Sequence, residues 1–430
     1  MRKRNVMLIS VDEVRPDHLS CYGYERIKTE NIDEVAEEGV SFETCIAAAS
    51  LTPICMASIL CGVYPNKHTV RGAMHYLKAK TIAEILKDYG YNTAGFVGNA
   101  LLGAKHGFAH GFDHYSEPTE ESNWGISLPS EDGTLKPGEK GMVLEGNWWI
   151  EDMLNWLRQN HSSPFFIWGH YFETHEGAEQ VMLRDGLIKE GVLSEFSYKD
   201  AKIKYMDENL IGKVLGVFKE LNLQEDTTLV IMCDHGTNLG EHPGNPVPWR
   251  SYKLVYPQHT SLYDTDIKVA LIIKGKGLPQ GKRIKGVVRS VDVIPTLLDL
   301  LEIPTKDLDF DGISLLPTIE KGKAEKVVAY TESLYPGISY GTLQAFRTNE
   351  FKFIRDLSEG KEEFYNIQDD PLEQNNLIDE ARKTREQELK DMRKKLNLLL
   401  FETKAATITR LSEEEKEKVR QRMRALGYLE

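Results

Sequence analysis

Two acidic segments far apart in the chain carry residue types that hold a divalent cation. Asp12 and Glu13 follow an apolar run at residues 6–11, and Asp234-His235-Gly236 follows another at 227–233. Carboxylates joined by an imidazole form a ligand set for a hard or borderline divalent ion. An Asp at a strand end is by itself more often a turn or capping residue. The second acidic site with His235 beside it favours a metal. Between the two segments lies Ser50-Leu-Thr52-Pro53, opening an apolar stretch that ends at Gly62. Thr52 before Pro53 fits a helix N-cap followed by proline at the first helical position. A hydroxyl there meets the unpaired amides and positive end of the helix, where an anion or developing alkoxide is stabilised. Alone, Thr52 would be a plain cap. Beside a metal it becomes a candidate nucleophile, because coordination lowers the pKa of a hydroxyl.

Two further segments bring histidines. His170-Tyr-Phe-Glu173-Thr-His175 follows the apolar run 164–168, and His259 lies ahead of the run 269–273. An imidazole in such a place can protonate a leaving group or bind substrate oxygens. His106, His110, His114 and His161 read as structural, and His75 and His242 fit either role.

The elements that must position these residues alternate in type. Runs 6–11, 93–97, 164–168, 227–233 and 269–273 read as buried strands, and 81–88, 148–159, 205–221 and 291–301 have helical spacing. That alternation predicts an α/β fold, a large, mainly parallel sheet with helices on both faces. Such sheets carry their chemistry at the C-terminal ends of the strands, the only place where Asp12 and Asp234 could meet. After about residue 320 the texture changes: 345–356 and 363–367 suggest a small antiparallel meander, followed by charged helices at 381–403 and 412–426. The expected division is a catalytic domain over 1–320 and a small sheet with a helical tail over 321–430. Residues 116–146, rich in Gly, Pro, Ser and acid, read as a long surface excursion over the site.

Composition narrows the function. The 430-residue chain is 41% hydrophobic and 28% charged, with a net charge of -13. No basic patch is visible, which argues against a nucleic-acid partner. An acidic protein that handles an anionic ester needs a local positive source, and a metal ion supplies one. No apolar stretch approaches a membrane span, and the basic opening runs into a first strand rather than a leader. The odd set of five cysteines (Cys21, Cys45, Cys55, Cys61, Cys233) reads as buried free thiols in a cytoplasmic protein. Oligomeric state leaves no mark on the sequence.

Taken in order, these segments resemble the sulfatase family of the alkaline phosphatase superfamily. The opening block reads Val11-Asp12-Glu13-Val-Arg15-Pro-Asp17-His18, running on to Tyr22-Gly23, against the family's Val-Asp-Asp-x-Arg-x-Asp-His. Ala57-Ser58-Ile-Leu60-Cys-Gly62-Val-Tyr64-Pro65-Asn-Lys-His68 is similar to the helix that carries the family's nucleophile. Gly107 to Tyr115, His170 to His175, Asp234 to His242 and Phe364 to Leu377 match further family blocks. The resemblance implies an alkaline-phosphatase-like fold with a smaller C-terminal sheet. It implies metal ligation by Asp12, Asp234 and His235, with Glu13 at the position of a second Asp. It also implies that His175 and His259 flank the substrate.

The departures are specific. No cysteine begins the Cys/Ser-x-Pro-x-Arg motif from which sulfatases make formylglycine; Met56 stands for its arginine and Asn99 for a family lysine. Alignment on Ala57 and Gly62 puts Thr52 at the nucleophile position, and alignment on Pro53 puts Leu51 there with Ser50 adjacent. Threonine cannot become formylglycine, whereas phosphorus-ester members of the superfamily, such as phosphodiesterases, use it unmodified. The expectation is a metal-dependent hydrolase of a small sulfate, phosphate or phosphonate ester, leaning to phosphorus. Thr52 is its nucleophile, His175 and His259 assist, and Asn99 and His170 bind substrate. A single Ca, Mg or Mn ion is expected, with zinc admitted by His235. The alternative is a non-catalytic relative that binds an anionic ligand; a transferase is a third reading, opposed by the lack of a membrane segment.

Overall fold

The computed structural model describes residues 3–73, 75–118, 148–175, 195–242, 261–333 and 343–401. Among these, nine strands form one sheet: β1 (Asn5–Val11), β2 (Val40–Ile46), β3 (Asn92–Val97), β4 (His114–Ser116), β5 (Phe165–Tyr171), β6 (Thr227–Cys233), β7 (Lys268–Val269), β8 (Leu271–Lys274) and β9 (Lys282–Arg289). Their order is β4-β3-β5-β1-β6-β8-β2-β7, and β9 also pairs with β2. β1 runs parallel to β5 and β6, and β3 parallel to β4 and β5. β8 is antiparallel to β6 and β2, so the sheet is mixed but mostly parallel.

Every residue of β1, β5 and β6 is buried. That is the condition of strands covered on both faces, and it explains why they read as unbroken apolar runs instead of alternating ones. Register then sets the site. Val11 pairs with Tyr171 on one side and Cys233 on the other. Asp12, Phe172 and Asp234 therefore leave the sheet side by side at its C-terminal edge.

The helix α1 (Glu30–Glu37) precedes β2, and α2 (Thr52–Cys61) leaves the same edge after β2. Every residue of α2 is buried. A helix apolar all round belongs inside the molecule. Its first turn differs from the sequence expectation by one position: Leu51 is the N-cap, Thr52 the first helical residue, and no side chain caps it. The Thr52 hydroxyl is thereby free of capping duty. Helix α3 (Ile82–Asp88) does carry a capping box, with Thr81 and Glu84 bonded to each other's backbone amides.

Helix α4 (Trp148–Asn160) lies close to its expected span, but the expected helix 205–221 starts earlier. It comprises α5 (Glu195–Met206), a π turn at Asp207–Ile211, and α6 (Gly212–Leu221). The first half escaped notice because its buried positions include Lys199, Asp200 and Lys202. Strands β2, β4 and β9 were also unanticipated. β9 carries Lys282, Arg283, Lys285 and Arg289, charges that mask an edge strand. The run 269–273 is interrupted at Ala270, whose carbonyl accepts the Cys233 amide instead.

Beyond α7 (Val293–Leu300), the meander contains four strands, β10 (Ala329–Ser333), β11 (Leu343–Arg347), β12 (Phe351–Asp356) and β13 (Glu362–Asn366), all antiparallel. The expected helix 381–403 is two helices, α8 (Ile378–Thr384) and α9 (Glu386–Phe401), broken at Arg385. Leu389 and Leu396 of α9 pack with Phe353 and Phe364. Ile46, Ile267 and Val287 of the large sheet region join Ala345, Ile354 and Tyr365 in one apolar cluster. The helix expected at 412–426 and most of the excursion at 116–146 lie outside the described residues. Among the described residues, no helix is long and apolar enough to cross a membrane.

Candidate metal centre and nucleophile

Asp12 continues directly from β1 and is fully buried, as are Glu13, Asp234 and His235. The backbone turns sharply at Glu13, whose φ of 54° is left-handed. A non-glycine residue adopts that conformation at a cost of about 1–2 kcal/mol. The Glu13 amide donates to Asp234 Oδ1 at 3.3 Å, which helps hold the turn. The amide of His235 donates to the same oxygen at 2.7 Å. Both donors thus address Oδ1, and Asp234 Oδ2 is left facing Asp12. Gly236 is required next, because a Cβ there would stand 2.1 Å from the Thr265 carbonyl oxygen.

Arg15 ties the two acidic segments together. Its guanidinium bonds both oxygens of Asp17 at 2.9 and 2.6 Å, the Thr237 carbonyl at 3.3 Å and Glu241 at 2.5 Å. A planar fork serving acids from both segments fixes their relative placement. Thr174 adds a hydroxyl bond to the Asp12 carbonyl at 2.6 Å.

The centre itself consists of Asp12, Asp234 and His235. His235 Nε2 lies 3.5 Å from Asp12 Oδ1 and 3.6 Å from Asp234 Oδ2. His235 Nδ1 is 2.9 Å from the Gly236 carbonyl oxygen. A carbonyl can only accept, so Nδ1 carries a proton and Nε2 is the ring nitrogen turned to the centre. Asp12 Oδ1 and Asp234 Oδ2 are both buried with no hydrogen-bond donor among the described residues. Two such buried carboxylate oxygens beside the Nε2 of an imidazole fit a divalent cation. Burial, and then the neighbouring Asp234 carboxylate, push the Asp12 carboxyl well above its ordinary range, against the pull of His235. A bound cation would remove that penalty.

Thr52 reaches this centre from the start of α2. Its Oγ1 is 3.2 Å from Asp12 Oδ2, to which it donates, and 3.1 Å from His235 Nε2. The hydroxyl thus touches one oxygen of Asp12 and the ring nitrogen of His235 that faces the other oxygen.

The other predicted residues divide. His170, on β5, has Nε2 3.7 Å from Asp12 Oδ2 and Nδ1 2.9 Å from Ser10 Oγ. Burial pulls its pKa down to about 4, so it is neutral at physiological pH. Asn99 is buried beyond β3, where its side chain accepts the Leu101 amide at 3.0 Å. The neighbouring Gly98 amide bonds the His170 carbonyl. The Glu13 carboxylate groups with His175, not with Asp234 and His235: His175 Nε2 is 3.2 Å from Glu13 Oε1. His259 lies outside the described residues. His242 stacks on Tyr263, with ring centroids 3.7 Å apart.

Sequence reasoning missed Ser10, Thr174, Lys199 and Lys202. Lys199 Nζ is 3.3 Å from Glu13 Oε2, and Lys202 Nζ donates to the His175 carbonyl oxygen at 3.0 Å. Their spacing of three along a helix was the available signal, but lysines so spaced ordinarily mark a solvated face.

The geometry agrees with what comparison with known proteins finds. The sulfatase family model matches residues 4–303, and the model of the N-sulphoglucosamine sulphohydrolase C-terminal region matches 256–401. The chain is similar to an arylsulfatase of Clostridium perfringens, 24% identical, with 87% of this chain and 90% of that protein covered. An N-acetylglucosamine-6-O-sulfatase of Bacteroides thetaiotaomicron is 24% identical, over 94% of this chain and 86% of that one. Among solved structures, a protein in complex with its substrate D-glucosamine-2-N,6-O-disulfate superposes with a TM-score of 0.71, at 19% identity, covering 93% of this chain and 98% of that one. The phosphonate monoester hydrolase of Agrobacterium radiobacter does so with a TM-score of 0.68, at 22% identity, covering 96% and 99%. A family match over most of the chain, on a fold that gathers two aspartates, a histidine and a threonine at one sheet edge, places this protein in the sulfatase family of ester hydrolases.

Proposed function

We propose that the protein hydrolyses a small anionic ester in two steps through Thr52, with phosphate and phosphonate esters preferred to sulfate. The observation that carries this reading is the position of Thr52 Oγ1, within 3.2 Å of Asp12 Oδ2 and 3.1 Å of His235 Nε2. Asp12, Asp234 and His235 would hold one divalent ion, and that ion, when bound, would acidify the Thr52 hydroxyl and offset charge on the ester oxygens.

Thr52 forms a bond to phosphorus or sulfur through Oγ1 while the bond to the leaving oxygen breaks. The hydroxyl proton has Asp12 Oδ2 as its acceptor. The first amides of α2 add positive potential where negative charge builds on the ester. The departing alkoxide needs a proton, for which His175 and His259 are the candidates. His175 is held on the Glu13 side of the centre. Water then cleaves the threonyl ester, returning the Thr52 hydroxyl and releasing the phosphate, phosphonate or sulfate that remains of the substrate. Neutral His170 and Asn99 line the same edge and are proposed to meet the ester oxygens.

The phosphorus preference rests on Thr52 itself, which has no route to formylglycine. The similarity to an arylsulfatase and an N-acetylglucosamine-6-O-sulfatase favours sulfate as the second reading. Nitrophenyl sulfate, phosphate, phosphodiester and phosphonate, each assayed with Ca, Mg, Mn and Zn, separate the two. A phosphorus ester is expected to exceed the sulfate in kcat/KM by about tenfold or more. A sulfate lead would discard the preference, and no turnover with metal bound would favour a non-catalytic binder.

Metal removal gives a second, activity-independent check. A divalent ion present at ~100 times its Kd should stabilise the fold by about 2.7 kcal/mol over the chelated protein. A melting temperature indifferent to chelator and to every divalent ion would remove the metal from this reading.

A further inference from the structure

The two sheets meet along an apolar seam that includes Ile46, Val287, Ala345 and Ile354. Two residues before Ile46 on β2 the seam turns polar and opens into a cavity of about 320 Å³, room for a small organic ligand. Thr44, Lys285, Lys323, Arg347 and Asn349 supply its polar lining. In the strand order β9 lies four places from β1, so roughly 19 Å of sheet separates this cavity from Asp12.

The backbone shapes the hollow. Phe42 pairs with Ile284 and Thr44 with Val287, so β9 carries one residue more than β2 between those pairs. Such a bulge bends the strand and leaves its extra residue unpaired. It falls at Lys285 and Gly286, and Gly286 has a φ of 90°. A Cβ at 286 would stand 2.8 Å from the Ala324 carbonyl oxygen, so glycine allows the close approach of the two segments. Lys285 forms a β-bridge with Lys323, which sets two like charges side by side.

The other charges of β9 are answered: Arg283 by Glu43, and Arg289 by Asp292. Among the described residues, neither Lys285 nor Lys323 has an acid partner, and no carboxylate lines the cavity. Like charges so placed repel unless an anion comes between them. Arg347, 4% exposed, has five N–H groups, of which Asp264 and the Thr348 carbonyl take three. Asn349 commits its side-chain oxygen to the Val287 amide at 2.6 Å, which leaves its NH₂ as a donor.

We propose that this cavity is a second anion site, taking a small molecule that bears a phosphate or sulfate group. Two neighbouring ammonium groups match a compact dianion better than a dicarboxylate, whose charges are spread apart. The Thr44 hydroxyl and the remaining N–H donors of Arg347 and Asn349 add directional bonds to its oxygens. A free inorganic ion and a small ester such as a sugar phosphate share that chemistry. The site stands apart from Thr52 and does not depend on the reading of the metal centre.

Lysine footprinting on the full chain, with chelator present throughout, reads the site locally. Acetylation by an N-hydroxysuccinimide ester is followed at each lysine by mass spectrometry. Inorganic phosphate at ~10 times its Kd should slow modification of Lys285 and Lys323 about tenfold, while exposed Lys361 keeps its rate. Glucose 6-phosphate protecting at lower concentration than phosphate assigns the site to an ester, and the reverse assigns it to the free ion; either supports the proposal. Equal protection by chloride at matched ionic strength, by malonate, or at Lys361 overturns it. Lys285→Ala combined with Lys323→Ala alters two exposed side chains, and the variant should fold and keep its turnover. Its melting temperature should no longer rise with phosphate under chelator, as that of wild type should. A rise of the same size in the variant, or none in wild type, also overturns the proposal.

Discussion

Replacing Thr52 with alanine is expected to lower kcat/KM on the best ester substrate by at least about 10³-fold, the scale on which removing an activated nucleophile acts. The side chain is small, 1% exposed and not used as a helix cap, so its loss costs the fold little. Two neighbours lose a contact, Asp12 Oδ2 and His235 Nε2, while Asp12 Oδ1 and Asp234 Oδ2, the donor-less oxygens proposed to hold the ion, are untouched. The variant should therefore keep its metal-dependent gain in melting temperature while losing turnover. Thr52→Ser keeps the hydroxyl and should retain measurable activity. Trapping provides a direct check: a substrate with a fast leaving group should leave a phosphoryl or sulfuryl adduct on Thr52, detectable by mass spectrometry after acid quench. Full activity in Thr52→Ala, or an adduct on Ser50, would move the nucleophile elsewhere. Ser50 is also buried, but no bond joins it to Asp12 or His235 among the contacts that define the centre.

Lys352→Met is expected to destabilise the protein by about 3–5 kcal/mol, the usual consequence of stripping a buried charge from its partners. Lys352 lies on β12 and is wholly buried. Its ammonium sits 2.6 Å from Asp264 Oδ1, 2.6 Å from Glu373 Oε1 and 3.0 Å from the Leu262 carbonyl. Asp264 belongs to the segment before β7, so this cluster joins the small sheet to the large one. Arg347 serves the same aspartate at 3.0 Å and would still hold it. Among the described residues, Glu373 would keep the Asp264 amide alone.

The pH dependence has a definite sign. Burial, ahead of the opposing pull of Lys352, raises the Glu373 carboxyl from its ordinary 4.5 to about 7. A carboxyl raised in the folded state favours folding below its unfolded pKa, and that contribution is lost as pH rises through the folded value. Without Lys352 the carboxyl should rise further, so the deficit of Lys352→Met should be larger at pH 8 than at pH 5. Urea unfolding at the two pH values measures it. Adding Glu373→Gln should recover a large part of the loss. A deficit below about 1 kcal/mol, or one indifferent to pH, would mean that the cluster does not fasten the two sheets.

Some of this molecule could be read without its fold. The strands β1, β5 and β6 announce themselves because both of their faces are buried, which forces unbroken apolar sequence. Asp12 and Asp234 stand out for a related reason: an acid directly after such a run marks the edge where a parallel sheet keeps its chemistry. The threonine before proline at the start of an apolar helix was equally visible. Position along the helix was not, since the step from N-cap to first helical residue depends on the backbone at Leu51. β9 and the first half of the helix before β6 were hidden by lysines and arginines, whose charges imitate solvent-facing positions.

What the sequence by itself determined is the set of chemical groups and the sheet edge that gathers them, because period and burial are written in residue type. Tertiary structure alone decided how the groups pair: which oxygen of Asp234 is taken by amides, that Glu13 turns to His175 instead of to Asp234, and that Lys199 stands beside it. Those choices depend on distances of a few tenths of a nanometre between residues far apart in the chain. A left-handed turn at Glu13 and the helix that brings Lys199 against it set those distances, and neither leaves a local pattern to read.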